Sequence, residues 1–159
     1  DIVIDSSVLN IHQLEKKIAE YFHEDNSVDL QVNILSFGYK YGIPVDADLV
    51  VDCRFIANPH WNLELRPLTG LDKPVSDAVL DSANVQEFLS RYQSLFETMA
   101  NGFIGEGRKY LTLAIGCTGG KHRSVAITQE LNKRLTSKEL IPGKNIQTKA
   151  MHRDLGREI

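Results

Sequence analysis

No stretch of this chain approaches the roughly 18 consecutive apolar residues of a membrane-spanning helix, so nothing in it reads as crossing a bilayer. Cysteine is scarce. Cys53 and Cys117 are the only two, each in or beside an apparent strand. One such pair is a poor basis for a disulfide framework, and a reducing cytoplasm is the expected compartment. Internal repeats, heptad arrays and low-complexity tracts are absent, which sets aside solenoids, coiled coils and repetitive linkers. The nucleotide P-loop G-x-x-x-x-G-K-[ST] fails at Lys121, because position 115 is Ile115 rather than glycine and position 122 is His122 rather than a hydroxyl residue. The pattern G-x-G-x-x-G is missing too. No His/Cys spacing supports zinc, and Asp46, Asp48 and Asp52 read as the solvated ends of an apolar strand, so no metal is expected.

What is present suits one packed domain. The 159 residues are 42% hydrophobic, enough for a sizeable core. A net charge of −3 conceals an asymmetry: residues 133–159 hold seven basic and three acidic side chains, and the rest of the chain is acidic. Such a basic end attracts phosphate or nucleic acid, or simply forms a solvated face. Asp1 is no initiator, and Asp1-Ile2-Val3-Ile4-Asp5 resembles a strand already under way, so the chain is expected to be a fragment.

Asn10-Ile11-His12-Gln13 has a capping spacing, and Ile11, Leu14, Ile18, Tyr21 and Phe22 then recur at helical intervals. Alternation over Val28–Phe37 predicts a strand. Gly38–Pro44 is a loop, and Ala47–Phe55, with continuous Leu49, Val50 and Val51, predicts a strand covered on both faces, as in parallel sheets. Residues 54–73 show neither strand nor helix period and contain Pro59, Pro67 and Gly70; connections this long are uncommon and often functional. Helical character returns at Pro74, and Val85, Phe88, Leu89, Tyr92, Leu95, Phe96 and Met99 mark a long amphipathic helix. A strand over Tyr110–Ile115, a helix through Val125, Ile127, Leu131 and Leu135, and a last strand over Asn145–Lys149 complete the pattern. Alternating strands and helices predict an α/β three-layer sandwich with a mainly parallel sheet. Ligands in such sheets gather beyond the carboxyl ends of the strands, where the 54–73 and 116–124 loops both emerge.

The second of these loops, Gly116-Cys117-Thr118-Gly119-Gly120-Lys121-His122-Arg123-Ser124, joins a strand to a helix. Its glycines free backbone N–H groups to face a ligand, the helix start adds unpaired donors and partial positive charge, and Lys121, His122 and Arg123 add full or titratable charge. A phosphorylated ligand fits. The same residues match C-x-x-G-x-x-R-[ST], the loop of cysteine-dependent phosphatases, with Cys117 as nucleophile, Arg123 as phosphoryl clamp and Ser124 assisting the leaving thiolate. Against catalysis, position 116 is glycine where that family usually has histidine, and a strand-end cysteine is commonly a small packing residue. The long loop brings Arg54, His60 and Arg66 towards the same edge; the arginines could grip an anion, and His60 could bond a hydroxyl or phosphate.

Phe37–Pro44, Ala47–Asp52, Arg54-Phe55, Asn58-Pro59, Glu64–Gly70 and Ile115–Ser124 resemble the C-terminal domain of the RapZ family of RNase adaptor proteins. The resemblance implies a ligand-sensing domain over 28–159, with 1–27 the closing segment of a missing N-terminal P-loop domain or a linker; ATP or GTP would belong to that missing domain, and this fragment would use no cofactor. It further implies binding of a sugar phosphate, glucosamine-6-phosphate, by His60, Thr118, Gly119, His122 and Arg123, with Gly120, Arg54 and Arg66 nearby. In enterobacterial members it implies small-RNA binding, for which Lys144 matches a basic position and Lys149 and Arg153 lie on the same basic end. A regulatory protein partner and a homo-oligomeric full-length protein are also implied. The tail departs from the densely basic enterobacterial pattern, since Met151–Glu158 interleaves acids.

Overall fold

The computed structural model describes residues 27–136 and 140–157, together with Ile11 and Leu14, both helical. The rest of the expected N-terminal helix and segment lies outside the described residues. Four strands, β1 (Leu30–Gly38), β2 (Leu49–Asp52), β3 (Tyr110–Cys117) and β4 (Ile146–His152), and three helices, α1 (Lys73–Leu80), α2 (Ala83–Gly105) and α3 (Arg123–Leu135), make up the described fold. The sheet is all parallel in the order β2-β3-β1-β4, giving the α/β sandwich that alternation of strand and helix predicts.

Side-chain patterning explains which strands sit where. β1 buries Leu30, Val32 and Ile34 and leaves Gln31, Asn33 and Leu35 half-covered, while the inner strand β3 is buried without interruption from Leu113 to Cys117. β2 is a four-residue edge strand. Its Val50 is 44% exposed, so the continuous apolar run reflects only partial cover. Helix α3 packs against β1, β3 and β4 and also meets α1 and α2, which is why even its polar Ser124 and Thr128 are fully buried.

The helical stretch after Pro74 is two helices. Pro74 enters in the first turn of α1, where a missing N–H costs nothing, and Ser82 adopts extended backbone that ends α1 and starts α2. Over its 23 residues α2 spans about 35 Å and buries Val85, Leu89, Phe96 and Ala100 along one stripe. That stripe is core, as its helical spacing implies. No helix among the described residues is long and apolar enough to cross a membrane.

Strand order also locates a topological switch point. From β1 the chain crosses over β3 to reach β2, and from β3 it crosses over β1 to reach β4, so the connections leaving the neighbouring ends of β1 and β3 run in opposite directions across the sheet. Gly38 and Cys117 are register partners at the carboxyl ends of that pair. A parallel sheet opens its ligand crevice at such a switch.

Candidate functional site

At this switch point β3 ends and α3 begins six residues later, with the connecting loop laid directly on the end of β1. Gly120 turns in the left-handed region at φ 76°, and a Cβ there would lie 2.7 Å from the Gly38 amide nitrogen. Gly38 is needed for space alone: its backbone is ordinary extended chain, φ −106° and ψ 125°, but a Cβ would lie 2.6 Å from the carbonyl carbon of Gly119. The Lys40 amide donates to Thr118 O at 3.2 Å, fastening the loop to the next segment. Inside the turn, the Gly120 amide donates to Cys117 Sγ at 3.3 Å, and Ser124 Oγ lies 3.1 Å from the same sulfur. The start of α3 is thereby held beyond the carboxyl ends of β1 and β3, with its first-turn donors and partial positive charge there.

His122 and Arg123 are each only 5% exposed, which sets them apart from ordinary surface charges. Arg123 Nη1 donates to Arg54 O at 3.2 Å and Ile56 O at 3.0 Å, and Nη2 donates to Thr118 Oγ1 at 3.2 Å. Its buried Nε has no hydrogen-bond partner among the described residues. A guanidinium carries five donors, and one left unsatisfied in the interior is costly unless a bound group supplies an acceptor. Three of its bonds thus pin the head group between the two loops.

The long loop is stitched to the glycine loop through backbone. Lys121 Nζ donates to Arg66 O at 3.0 Å, His122 Nε2 is 3.3 Å from the same oxygen, and the Gly70 amide donates to Lys121 O at 2.9 Å. At Gly70 a Cβ would come within 2.3 Å of His122 O, so only glycine admits this seam. Asn58 caps a short 3-10 turn, accepting from the His60 amide at 3.3 Å, and that turn carries the His60 ring to a centroid distance of 6.3 Å from His122. The structure thus joins the two loops through Thr118, His122 and Arg123 and sets the His60 ring beside that of His122.

Arg54 and Arg66 take different parts. The Arg54 side chain forks onto Asp52, with Nε 3.0 Å and Nη2 2.7 Å from Oδ2, and lies 4.0 Å above the Tyr39 ring. Hydrogen bonding from Arg54 holds the Asp52 carboxyl below the usual range. Arg66 offers its carbonyl to the site while its side chain is exposed. Cys53 and Cys117 are both free and buried; burial first, then neighbouring Cys117 and Asp52, pushes the Cys53 thiol far above its ordinary range. Asp48 accepts from the Thr112 amide and pairs with Arg108, and the described residues contain no His/Cys/Asp/Glu group able to hold a metal.

Of the basic-end residues, Lys149 is exposed on the edge strand β4 and Lys144 sits half-buried in the preceding turn. Arg153 is engaged within the fold, donating to Asp154 and to Gly42 O and lying over the Phe37 ring. Asp154 itself escapes sequence reasoning. Fully buried, it accepts the Gly38 amide at 2.8 Å and pairs with Arg153 at 2.8 Å and Arg157 at 3.0 Å, bracing the strand end beneath the glycine loop. Its only trace in the sequence is an acid between two arginines in a basic tail. Burial would raise its carboxyl, but hydrogen bonds from Arg153 and Gly38 and the charges of both arginines outweigh that and hold it below the usual range. A depressed folded-state pKa contributes stability above the unfolded value and loses it as pH falls. Asp154→Asn is therefore expected to cost about 2–3 kcal/mol at neutral pH, a gap that closes below about pH 4; urea denaturation across pH measures it.

Comparison with known proteins identifies the family. The family model described as the RapZ C-terminal domain matches residues 30–156. Proteins named "Nucleotide-binding protein" from Streptomyces griseus, Acidothermus cellulolyticus and Thermobifida fusca are 51%, 52% and 49% identical over 99% of this chain. The chain spans about half the length of these curated relatives, 46%, 50% and 52% respectively. The matched region contains all four strands, the seam between the loops and the buried Arg123, and the chain belongs to the RapZ C-terminal domain family.

Proposed function

We propose that this domain is the ligand-sensing part of a regulatory adaptor and that the crevice between the 54–73 and 116–124 loops binds a sugar phosphate, glucosamine-6-phosphate. The observation that carries this reading is the burial of His122 and Arg123 at the start of α3, with Arg123 Nε lacking an acceptor and His60 brought alongside. The phosphate would lie against the Thr118–Gly120 backbone and the Arg123 side chain, and His60 and His122 would read hydroxyls or orient the ring. Sensing then works by linkage. A ligand that binds both loops favours the state in which they are joined, and raises stability by an amount set by its concentration over Kd. Titration calorimetry and thermal unfolding with glucosamine-6-phosphate test this: saturable binding and a raised Tm support it, and neither at millimolar ligand refutes it.

Cysteine-dependent phosphatase activity is a second reading, favoured by the contacts of Cys117 Sγ with the Gly120 amide and Ser124 Oγ. Opposing it, Cys117 is 3% exposed and Arg123 is occupied by two backbone carbonyls. Cys117→Ser is expected to retain sugar-phosphate affinity within about twofold, with no aryl-phosphate turnover in either protein. Turnover in the wild type that disappears in Cys117→Ser would establish the catalytic reading instead. For RNA, Lys149 and Lys144 are the candidate phosphate contacts, while Arg153 acts through the Asp154 brace.

A further inference from the structure

His152 stands where three elements meet. It ends β4, its register partner on β1 is Ser36, and α3 packs against both strands. Both ring nitrogens are engaged: Nδ1 lies 2.7 Å from Oγ of the fully buried Ser36, and Nε2 lies 2.9 Å from Gln129 Nε2. An amide nitrogen can only donate, so Nε2 accepts, and the neutral ring keeps its one proton on Nδ1 and donates it to Ser36. The pairing of tail and strand continues from there. The Arg153 amide donates to Ser36 O at 3.0 Å, and Asp154 accepts the Gly38 amide at 2.8 Å. A Cβ on Gly120 would lie 3.1 Å from Asp154 Cβ, so the segment that His152 fastens is the one on which the glycine loop rests.

We propose that His152 is an acid-sensitive clamp: neutral, it joins β4 to β1 and α3, and on taking a proton it loosens the 152–157 segment beneath the glycine loop. The change falls at Nε2. A proton can enter only there, and the new N–H then faces the N–H of Gln129 and forfeits that bond. The resulting cation is half-buried between two neutral partners, a place that disfavours charge. Neighbouring elements bring no anion onto the ring. β1 has no ionisable side chain; on α3, Glu130 and Arg134 pair with each other, and exposed Lys133 lies one turn on from Gln129. On β4, Lys149 projects from the opposite face of the sheet, and beyond it Asp154 is held by Arg153 and Arg157. Asp46 and Arg153, opposite in sign, line with His152 a cavity of about 480 Å³ that opens the ring to solvent. Burial, and no neighbouring charge, holds the ring below the ordinary histidine range.

The test follows the His152 ring by NMR and the loop by amide hydrogen exchange, between about pH 7 and 5. Asp154, held below the carboxylate range, stays ionised throughout. His152 is expected to titrate below the ordinary value of about 6.5. With a lowered folded value the opened state takes the proton more readily, so the clamp's contribution is complete above the ordinary value and is lost as pH falls through the folded one. Corrected for intrinsic exchange, protection of the Gly38 and Gly120 amides should therefore fall in acid, by up to about tenfold for each unit separating the two values. His152→Gln keeps a donor for Ser36 and an acceptor for Gln129 but cannot titrate, and its protection should stay level. Gln129→Glu sets a carboxylate against Nε2, and should raise the ring above its ordinary value and keep the clamp closed. A wild-type ring titrating at or above the ordinary value overturns the proposal. So does an equal acid loss of protection in His152→Gln, which assigns the response to His60 or His122, or an unmoved ring in folded Gln129→Glu.

Discussion

Arg123→Ala is expected to abolish the rise in Tm produced by glucosamine-6-phosphate and to weaken its binding at least 100-fold. The size follows from what the residue supplies. Hydrogen bonds to charged groups contribute about 1.5–3 kcal/mol each, and the guanidinium offers both fixed charge and a planar donor fork that a point charge cannot reproduce. The same side chain joins the loops through Arg54 O, Ile56 O and Thr118 Oγ1, so the variant should also unfold at a lower temperature without ligand. The two effects separate in the measurement: the baseline shift reports the lost bridge, and the ligand-dependent increment reports the lost site. Arg123→Lys should recover part of the charge but little of the binding, because an ammonium cannot span both carbonyls and the ligand. Full ligand response in Arg123→Ala would remove Arg123 from the site and with it the sugar-phosphate reading.

Gly38→Ala is expected to cost about 3 kcal/mol or more and to eliminate ligand response. Its Cβ would be 2.6 Å from Gly119 C, 2.8 Å from Gly119 O and 2.9 Å from Gly120 N, all backbone atoms. Neither side can yield cheaply. Gly38 is tied by its amide to buried Asp154, and the opposing loop is fixed by Gly120 at positive φ and by the Cys117 contact. Overpacking in close-packed interiors costs 1–3 kcal/mol even where side chains can adjust, and here the adjustment would fall on the loop itself. Gly102→Ala is the matched control. A Cβ there meets nothing within 4 Å, and in helix α2 the change should stabilise by about 0.5–1 kcal/mol. Urea midpoints of opposite sign for the two variants would verify the argument; equal midpoints would refute it.

Much of this architecture was legible in the chain because it is written in local periodicity. Alternation at Leu30, Val32 and Ile34, the unbroken apolar run of β3, and the stripe through Leu89 and Phe96 each follow from one residue type meeting one backbone repeat. The glycine loop could likewise be read as a strand-to-helix turn, since strand, glycines and helix start are contiguous. Boundaries were less visible. The break between α1 and α2 at Ser82 has no glycine to announce it, and the shortness of β2 depends on its place at the sheet edge rather than on its apolar content.

Roles that depend on distant partners could not be read in advance. The sequence by itself determined an α/β chain with a basic, glycine-bounded loop before a helix, because hydrophobic period and turn chemistry act over a few residues. Only the tertiary structure decided the strand order that makes β1 and β3 neighbours and the backbone seam at Gly70 that accompanies the approach of His60 to His122. It likewise decided that Arg54 turns to Asp52 while Arg123 is buried, and that Asp154 braces Gly38 across 116 residues. Those outcomes depend on close approach and on which donor reaches which acceptor. Such contacts are settled by packing among segments far apart in the chain, and no local pattern encodes them.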